Sequence, residues 1–432
     1  MTPRRAFALA VALGLGFLLG RVVGPPSDAT GPASGAPPEA PRARLDRYLW
    51  GVARNPPPPT PSAAEHLAAI PYLQGYTPAH DAADVTIHDP RRVQPGHNFF
   101  TSAHAPAAFL MDMGGRVLHR WGIDFAQAFP GRAIAPENLG HDRFWRNALL
   151  LPGGEVLGIF EGLGLVKLDR ESQLLWAVPI GAHHDVARTP DGTLYVLARE
   201  RVTRKGFNHG SPILEDFVCV LAPDGKLLRR TSILEAFERS DHASLLDRVR
   251  GGADPFHTNS LRVLSGPALE RSGLPARPGD VLISIRQLDS VAVLDLREAR
   301  IVWTLDGLWR QQHDATLLES GRLLVFDNGG NGSNDRSRVV EVEPGSQRIV
   351  WSYSGGADTP FRSMALGAAS RLANGNTLIV EAQNGRAIEV TPEGEIVWEY
   401  LNPFRAGEKR ELVAALLSMT RIDAAAAAAV LN

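Results

Sequence analysis

The sequence is short of the features that most quickly give a protein's work away. It has one cysteine, Cys219, among 432 residues, so no disulfide can form within the chain and cysteine usage says nothing of the redox compartment. It has no surplus of charge, with 45 Lys and Arg against 47 Asp and Glu. No basic stripe runs through it, which argues against nucleic acid as a partner, because phosphate binding needs clustered Lys and Arg. Long apolar runs are also missing, with one exception near the start. There MTPRR precedes FALAVALGLGFLLG, residues 6–19, and no charge follows until Arg21. That length suits the apolar core of a signal peptide and is short for a spanning helix. No clean small-x-small cleavage site lies close behind, so residues 1–24 stay open between a signal peptide and an uncleaved inner-membrane anchor. The basic flank stays in the cytoplasm, so the remainder is expected to be exported, periplasmic or anchored facing outward. Residues 25–62 are rich in Pro, Gly and Ala and form a linker, not a core. Residues 63–83 make a short N-terminal extension.

What the chain has in quantity is turns, with 42 Gly and 32 Pro. From about residue 84 short apolar runs alternate with DG, GG, NG and PG, a texture in which repeats are sought first. One hairpin recurs six times: AFLMDMGGRVLHRW (108–121), LVKLDRESQLLW (165–176), VCVLAPDGKLLRR (218–230), VAVLDLREARIVW (291–303), VVEVEPGSQRIVW (339–351) and AIEVTPEGEIVW (387–398). Between the copies lie second hairpins such as RNALLLPGGEVLGIF (146–160) and LLESGRLLVF (317–326). Two hairpins per unit make the four-stranded blade of a propeller, which leaves few exposed sheet edges. The fold class expected is therefore all-β, a six-bladed β-propeller over residues 84–404. VTIHD (85–89) is a candidate for the strand that closes the ring. Residues 405–432, with ELVAALLSMTRI, read as a short helical C-terminal tail outside the repeat. Trp121, Trp176, Trp303, Trp351 and Trp398 recur at one position of the hairpin and are expected to pack between blades.

The register of the other hairpins carries the chemistry. In QQHDATLLESGRLLVFD (311–327), His313 stands eight residues before the turn glycine Gly321. In HHDVARTPDGTLYVL (183–197), His184 stands eight before Gly192, and the same count leads from Gly154 to Arg146 and from Gly375 to Gly367. One copy is interrupted by an insertion, yet its strand start, DPFHTNSLRVL, carries His257. The first strand of each blade lines the channel of a propeller, and equivalent positions ring one mouth. Arg146, His184, His257 and His313 are therefore expected to converge. A single histidine at a strand start is most often a cap or a packing residue. Three at matched positions call for chemistry, because imidazole serves as acid, base or nucleophile near neutral pH. Arg286 ends DVLISIR, and Arg199 ends the same strand of another blade. A guanidinium fork suits sulfate, phosphate or carboxylate. Three histidines also suit catalytic zinc, which the adjacent arginine opposes.

Taken together, these motifs resemble the bacterial aryl-sulfate sulfotransferases. The resemblance covers roughly residues 84–404 and rests on VTIHDPRRVQPGHNFFTS, HHDV, FHTNSL, the SIR strand end, QHDATLL, FDNGGNGSNDRSRVVEVE and GNTLIVEAQNGRAIEVTPEGEIVWEY. It implies an exported six-bladed propeller that moves a sulfuryl group from an aryl sulfate to a phenol through a sulfohistidine, with no nucleotide donor. His313 would be the nucleophile, His184 and His257 its supports, and Arg286 the anion-binding arginine. His183 is an alternative to His184, because the doubled histidine leaves the register ambiguous by one. Asn259 would be a polar neighbour of the site or a strand-start cap. His97 stands where the family often has tyrosine. Asp314 follows the nucleophile directly, and since adjacent strand residues face opposite ways, a structural role is expected for it. FDNGGNGSNDRSR has the composition of a calcium loop without the EF-hand spacing and is expected to be a turn. No cofactor and no metal are expected, and the partners are small aryl sulfates and phenols. Two rivals remain beside this reading: a non-catalytic envelope propeller that binds or assembles, and a hydrolase or lyase whose histidines hold a metal. The fold alone chooses among none of them.

Overall fold

The computed structural model describes residues 76–431, apart from 136, 137, 139, 330–335 and 357–358. All of them belong to the compact unit Arg42–Asn432. The expected signal or anchor segment, the linker, most of the extension 63–83 and the middle of the Gly/Asn-rich turn lie outside the described residues. Among those described, no helix is long and apolar enough to cross a membrane.

Burial is greatest in the second and third strands of each blade and falls at the outer one. VLISI, the strand Val281–Ile285, is buried at every residue, while Leu227–Ser232 is exposed over its first four. β-Branched and aliphatic residues fill the covered strands, where they pack well on a pleated surface. The turn glycines Gly154, Gly192, Gly279, Gly321 and Gly375 all have φ between 82° and 94°. Glycine adopts that backbone without penalty, and this is why it recurs at a fixed count from the strand starts.

Among the described residues there are seven antiparallel sheets, six of them blades, blade 1 holding His97–Ser102, Ala107–Met111 and Val117–Gly122. Blade 2 is built from Asn147–Leu150, Val156–Phe160, Gly164–Leu168 and Leu174–Val178. Blade 3 begins with Ala182–Arg188, blade 4 with Thr258–Val263, blade 5 with His313–Leu317 and blade 6 with Ala368–Arg371. All six recurrent hairpins form the outer halves of blades. Trp121 donates from blade 1 to Gly154 O of blade 2 at 2.9 Å, Trp351 from blade 5 to Pro392 O of blade 6 at 2.7 Å, and Trp398 from blade 6 to Met113 O of blade 1 at 3.0 Å. Each of these tryptophans thus ties its blade to a turn of the next.

The ring is closed by the expected strand and by one that was not expected. VTIH, as Asp84–His88, is a fifth, outermost strand of blade 6, paired with Ile396–Leu401. The inner strand of blade 1 comes from the other end of the chain: Leu416–Ile422 pairs with His97–Ser102. So ELVAALLSMTRI is not helical. It forms Leu412–Ala414, which pairs with Tyr76–Pro78 and Arg405–Ala406, and then the inner strand itself. Helix is confined to Ala424–Leu431, and the propeller extends past residue 404 to 422. The reason is the run Leu412–Leu417, which is apolar and buried throughout and which periodicity cannot tell from a buried helix.

Candidate active site

The inner strands bring three of the four expected residues, Arg146, His184 and His313, to one cavity, and His257 stands against His184 outside its lining, the two ring centroids 5.0 Å apart. Arg146, His184, Asn259, His313 and Gly367 line a cavity of about 260 Å³. Three of the inner strands are irregular there, with register shifts between Ala182 and Val186, Thr258 and Ser260, and His313 and Thr316. His184, His257 and Asp314 have φ of 52°, 50° and 48°. Non-glycine residues pay for that conformation, and such strain gathers at functional sites. Bulges of this kind re-aim side chains.

His313 is buried, and its surroundings fix its tautomer. The Asn328 amide donates its Nδ2 hydrogens to Ser363 O and Leu366 O, both at 2.6 Å. Its oxygen must therefore be the atom 2.7 Å from His313 Nδ1, and Gln311 O lies 3.1 Å from the same nitrogen. Two acceptors require Nδ1 to carry the hydrogen. Nε2 is left as the bare nitrogen, buried and with no hydrogen-bond partner. Burial, then the Arg286 charge, depresses the His313 pKa well below the usual imidazole value, so the ring is neutral at neutral pH.

His184 faces the same cavity, and its ring centroid lies 5.0 Å from that of His257. Its neighbour His183 does not line the cavity. It turns toward Asp216, with Nε2 3.4 Å from Oδ1, and its Nδ1 meets His184 Nδ1 at 2.9 Å. The doubled histidine is thereby resolved, with His184 inward and His183 behind it. Behind both lies Glu161, 3.1 Å from Arg199 Nη1, 3.5 Å from His184 Nδ1 and 4.0 Å from Arg146 Nε. Arg199 accordingly serves this carboxylate within the wall of the site. Asn259 lines the cavity and donates across to Gln312 O of the next blade at 2.8 Å, while its Oδ1 is buried without a partner.

His257 and Arg286 border a second cavity of about 770 Å³, lined in part by Ile213, Leu214 and Val249; it shares no lining residue with the first, and the His184–His257 ring contact links the two. Asp254 Oδ2 holds His257 Nδ1 at 2.6 Å. Burial would raise that carboxyl, but the facing His257, with Arg199 and His183, outweighs burial and lowers it to about 2. A carboxylate fixed on Nδ1 holds the orientation of the ring. Arg286 donates to Gln311 Oε1 at 3.0 Å.

One expected residue is not brought in. His97 begins its strand and pairs with Ile422. It is not among the residues that line either cavity. Asp314 is buried and structural in its contacts: it accepts from Arg262 and from Ala369 N. Arg262 also binds Asp185, which accepts from Asn147, so a polar belt joins blades 2 to 6 below the histidines.

Glu161, His183 and His184 are, among the described residues, the one cluster with metal-ligand spacing. It fits a cation poorly. Two guanidiniums already face Glu161, and the Nδ1–Nδ1 hydrogen bond occupies one ligand atom of each histidine.

Glu161, Asn328, Asp216 and Asp254 were not anticipated. Two of them had a signal: Glu161, Arg199, Arg286, Asn328 and Ala382 are each the seventh residue after their blade's turn glycine. That second ring backs the first.

Comparison with known proteins bears on this geometry. The family model described as arylsulfotransferase (ASST) matches residues 147–403. Among curated proteins none matches the chain. Of solved structures, a protein of unknown function from Bacteroides caccae is 13% identical over 76% of this chain and 98% of its own, with a TM-score of 0.48. Virginiamycin B lyase from Staphylococcus aureus is 12% identical over 60% and 69%, at 0.35. The WD40 propeller domain of Doa1 is 11% identical over 80% and 97%, at 0.43.

Proposed function

The chain belongs to the arylsulfotransferase family, and from that premise we propose that it carries a sulfuryl group from an aryl sulfate to a phenol through a sulfohistidine on His313. The observation that carries the reading is the tautomer of His313. A neutral ring whose Nδ1 hydrogen is held by Asn328 presents a lone pair at Nε2, which is what attack on sulfur requires.

In the first half, Nε2 bonds to sulfur and the bond from sulfur to the phenolic oxygen breaks. Arg146, His184 and Arg286 are the groups available to hold the sulfonate oxygens, where negative charge gathers. The departing phenolate takes a proton from His257, whose resulting neutral ring stays anchored on Asp254. In the second half, an acceptor phenol returns its proton to His257 and attacks sulfur, and Nε2 leaves. The larger cavity, partly apolar and bordered by His257 and Arg286, suits the aryl group. No metal or nucleotide donor enters this route. Export is part of the proposal, motivated by the N-terminal apolar segment.

The test uses an aryl sulfate with a coloured phenolate product, with and without added phenol, for the full chain and for His313→Asn. Colour that rises with phenol and vanishes in the variant is the expected result. Release indifferent to phenol would mark a hydrolase. No release from folded protein across a panel of donors would favour a non-catalytic propeller.

A further inference from the structure

His183 and Asp216 are buried and line neither cavity, and the route above does not use them. Yet they form a line of contacts ending in the site. Asp216 stands in Ile213–Leu221, paired across from Arg199. Its Oδ2 accepts from Thr258 N at 2.8 Å, and its Oδ1 faces His183 Nε2 at 3.4 Å, a distance that closes to a hydrogen bond with a small rotation. His183 Nδ1 meets His184 Nδ1 at 2.9 Å, and His184 Nε2 is buried on the cavity side without a partner.

Two ring nitrogens at that distance share one hydrogen, so the two tautomers are tied together. A protonated Asp216 donates to His183 Nε2. His183 must then carry its hydrogen on Nδ1 and give it to His184 Nδ1, and His184 presents Nε2–H to the cavity. An ionised Asp216 reverses the line: His183 donates from Nε2 to the carboxylate and accepts at Nδ1, so His184 carries its hydrogen on Nδ1 and Nε2 is bare. The two states differ by one proton, lost to solvent in effect from the nitrogen that faces the cavity.

We infer that Asp216 is a positioning residue which, through His183, sets whether His184 offers a hydrogen-bond donor or a lone pair to the sulfonate. The inference rests on the sulfuryl-transfer reading for its ligand. Sulfonate oxygens only accept hydrogen bonds, so the protonated line is the binding state.

The surroundings allow that state near neutral pH. Burial and then the Asp254 charge raise Asp216 to about 7, against the hydrogen bonds from Thr258 and the Arg199 charge. His183 itself is faced by Arg199, His257 and Asp254, and His184 by Arg146, His257 and Arg199. Glu161 draws a hydrogen toward His184 Nδ1 and so favours the other state. That carboxylate is shared, however, with Arg199 at 3.1 Å and with the backbone N–H of His184 at 3.3 Å.

The experiment measures affinity for an unreactive arylsulfonate from pH 5.5 to 9 by calorimetry. In the wild type it falls above about pH 7, by up to about tenfold per pH unit for a one-proton step. In Asp216→Asn the amide keeps its oxygen on Thr258 N and donates permanently to His183, so this limb disappears. A variant that binds and keeps the wild-type limb overturns the inference. Nitrogen NMR of imidazole-labelled wild type follows His184 directly and needs no variant: its hydrogen moves from Nε2 to Nδ1 over the same range, and a tautomer that does not change with pH sinks the inference. Neither readout requires turnover, so failure of sulfuryl transfer and failure of this line are separate results.

Discussion

Asn328 decides which nitrogen of His313 is bare, and it does so because two carbonyls, Ser363 O and Leu366 O, hold its amide. Replacing it by leucine leaves the His313 Nδ1 hydrogen with Gln311 O alone at 3.1 Å. The ring then loses its fixed tautomer, and the fraction with the lone pair aimed at sulfur drops. We expect kcat to fall about 10²-fold in Asn328→Leu, the scale of a misplaced acid–base group, with donor KM changed far less. Steady-state kinetics check this, and a variant with unchanged kcat would remove Asn328 from the mechanism. The histidines themselves are legible in the sequence, because a fixed count from a glycine with positive φ is a geometric statement about strand length. Their partners are not. An amide or a carboxylate at a strand end serves equally as cap, salt-bridge partner or tautomer clamp, and only the neighbouring blade decides which. His97 misleads for a related reason: its motif is similar to the family's, but its place at the start of a second strand leaves it outside the lining of both cavities.

At the scale of the element, the blades are legible and the last strand is not. The recurrent hairpins alternate apolar and polar residues, and five of the six end in tryptophan, of which Trp121, Trp351 and Trp398 donate to the next blade. The run Leu412–Leu417, by contrast, is buried throughout, and a continuous apolar run has no period to betray a strand. The bulges at the strand starts are equally hidden, since nothing in HHDV announces that His184 takes a φ of 52°. Gly367 shows what the ring position asks of blade 6. It occupies the place of His184 and His313, has a φ of 125°, and a Cβ there would lie 2.5 Å from the Phe326 ring. Phe326 is fully buried between blades 5 and 6, so it cannot yield cheaply. Gly367→Ala is expected to destabilise the fold by about 1–3 kcal/mol, the usual cost of overpacking. Chemical denaturation reads this as a lower midpoint at unchanged slope. A midpoint equal to wild type would show that the inner strand of blade 6 can shift.

The whole molecule is a ring closed at both ends of the chain, by Asp84–His88 on the outside of blade 6 and by Leu416–Ile422 on the inside of blade 1. Closure lets six blades bury titratable groups at their common centre, and stability must then depend on pH. His183, His184 and His313 are held well below the ordinary imidazole value, in each case first by burial, and His104, packed on Phe404 and likewise buried first and then near Arg120, is lowered to about 4. Above about pH 6.5 these rings are neutral in both folded and unfolded chains and have no effect. Below it the unfolded chain takes up protons that the folded ring refuses, so stability falls as pH falls. Asp216 acts in the opposite sense: with its pKa raised to about 7, the folded chain keeps a proton that the unfolded chain releases, a gain present at low pH and lost as pH rises through 7. Asp314 and Glu381, raised first by burial, work in the same direction as Asp216. Between about pH 6.5 and 5 the unfolded chain takes up protons at all four histidines, whereas a raised carboxyl, Asp280 included, opposes them only as far as its own pKa reaches into that range, as that of Asp216 does. Each proton of net uptake on unfolding costs about 1.4 kcal/mol per pH unit. We therefore expect the melting temperature to drop from pH 7.5 to 5.5, and to drop less in His104→Phe, which removes one refusing ring outside the site and keeps the stack on Phe404. A melting temperature that is flat or rises toward pH 5.5 would mean that the central histidines are charged in the folded ring, and with them His313, which could then not attack sulfur.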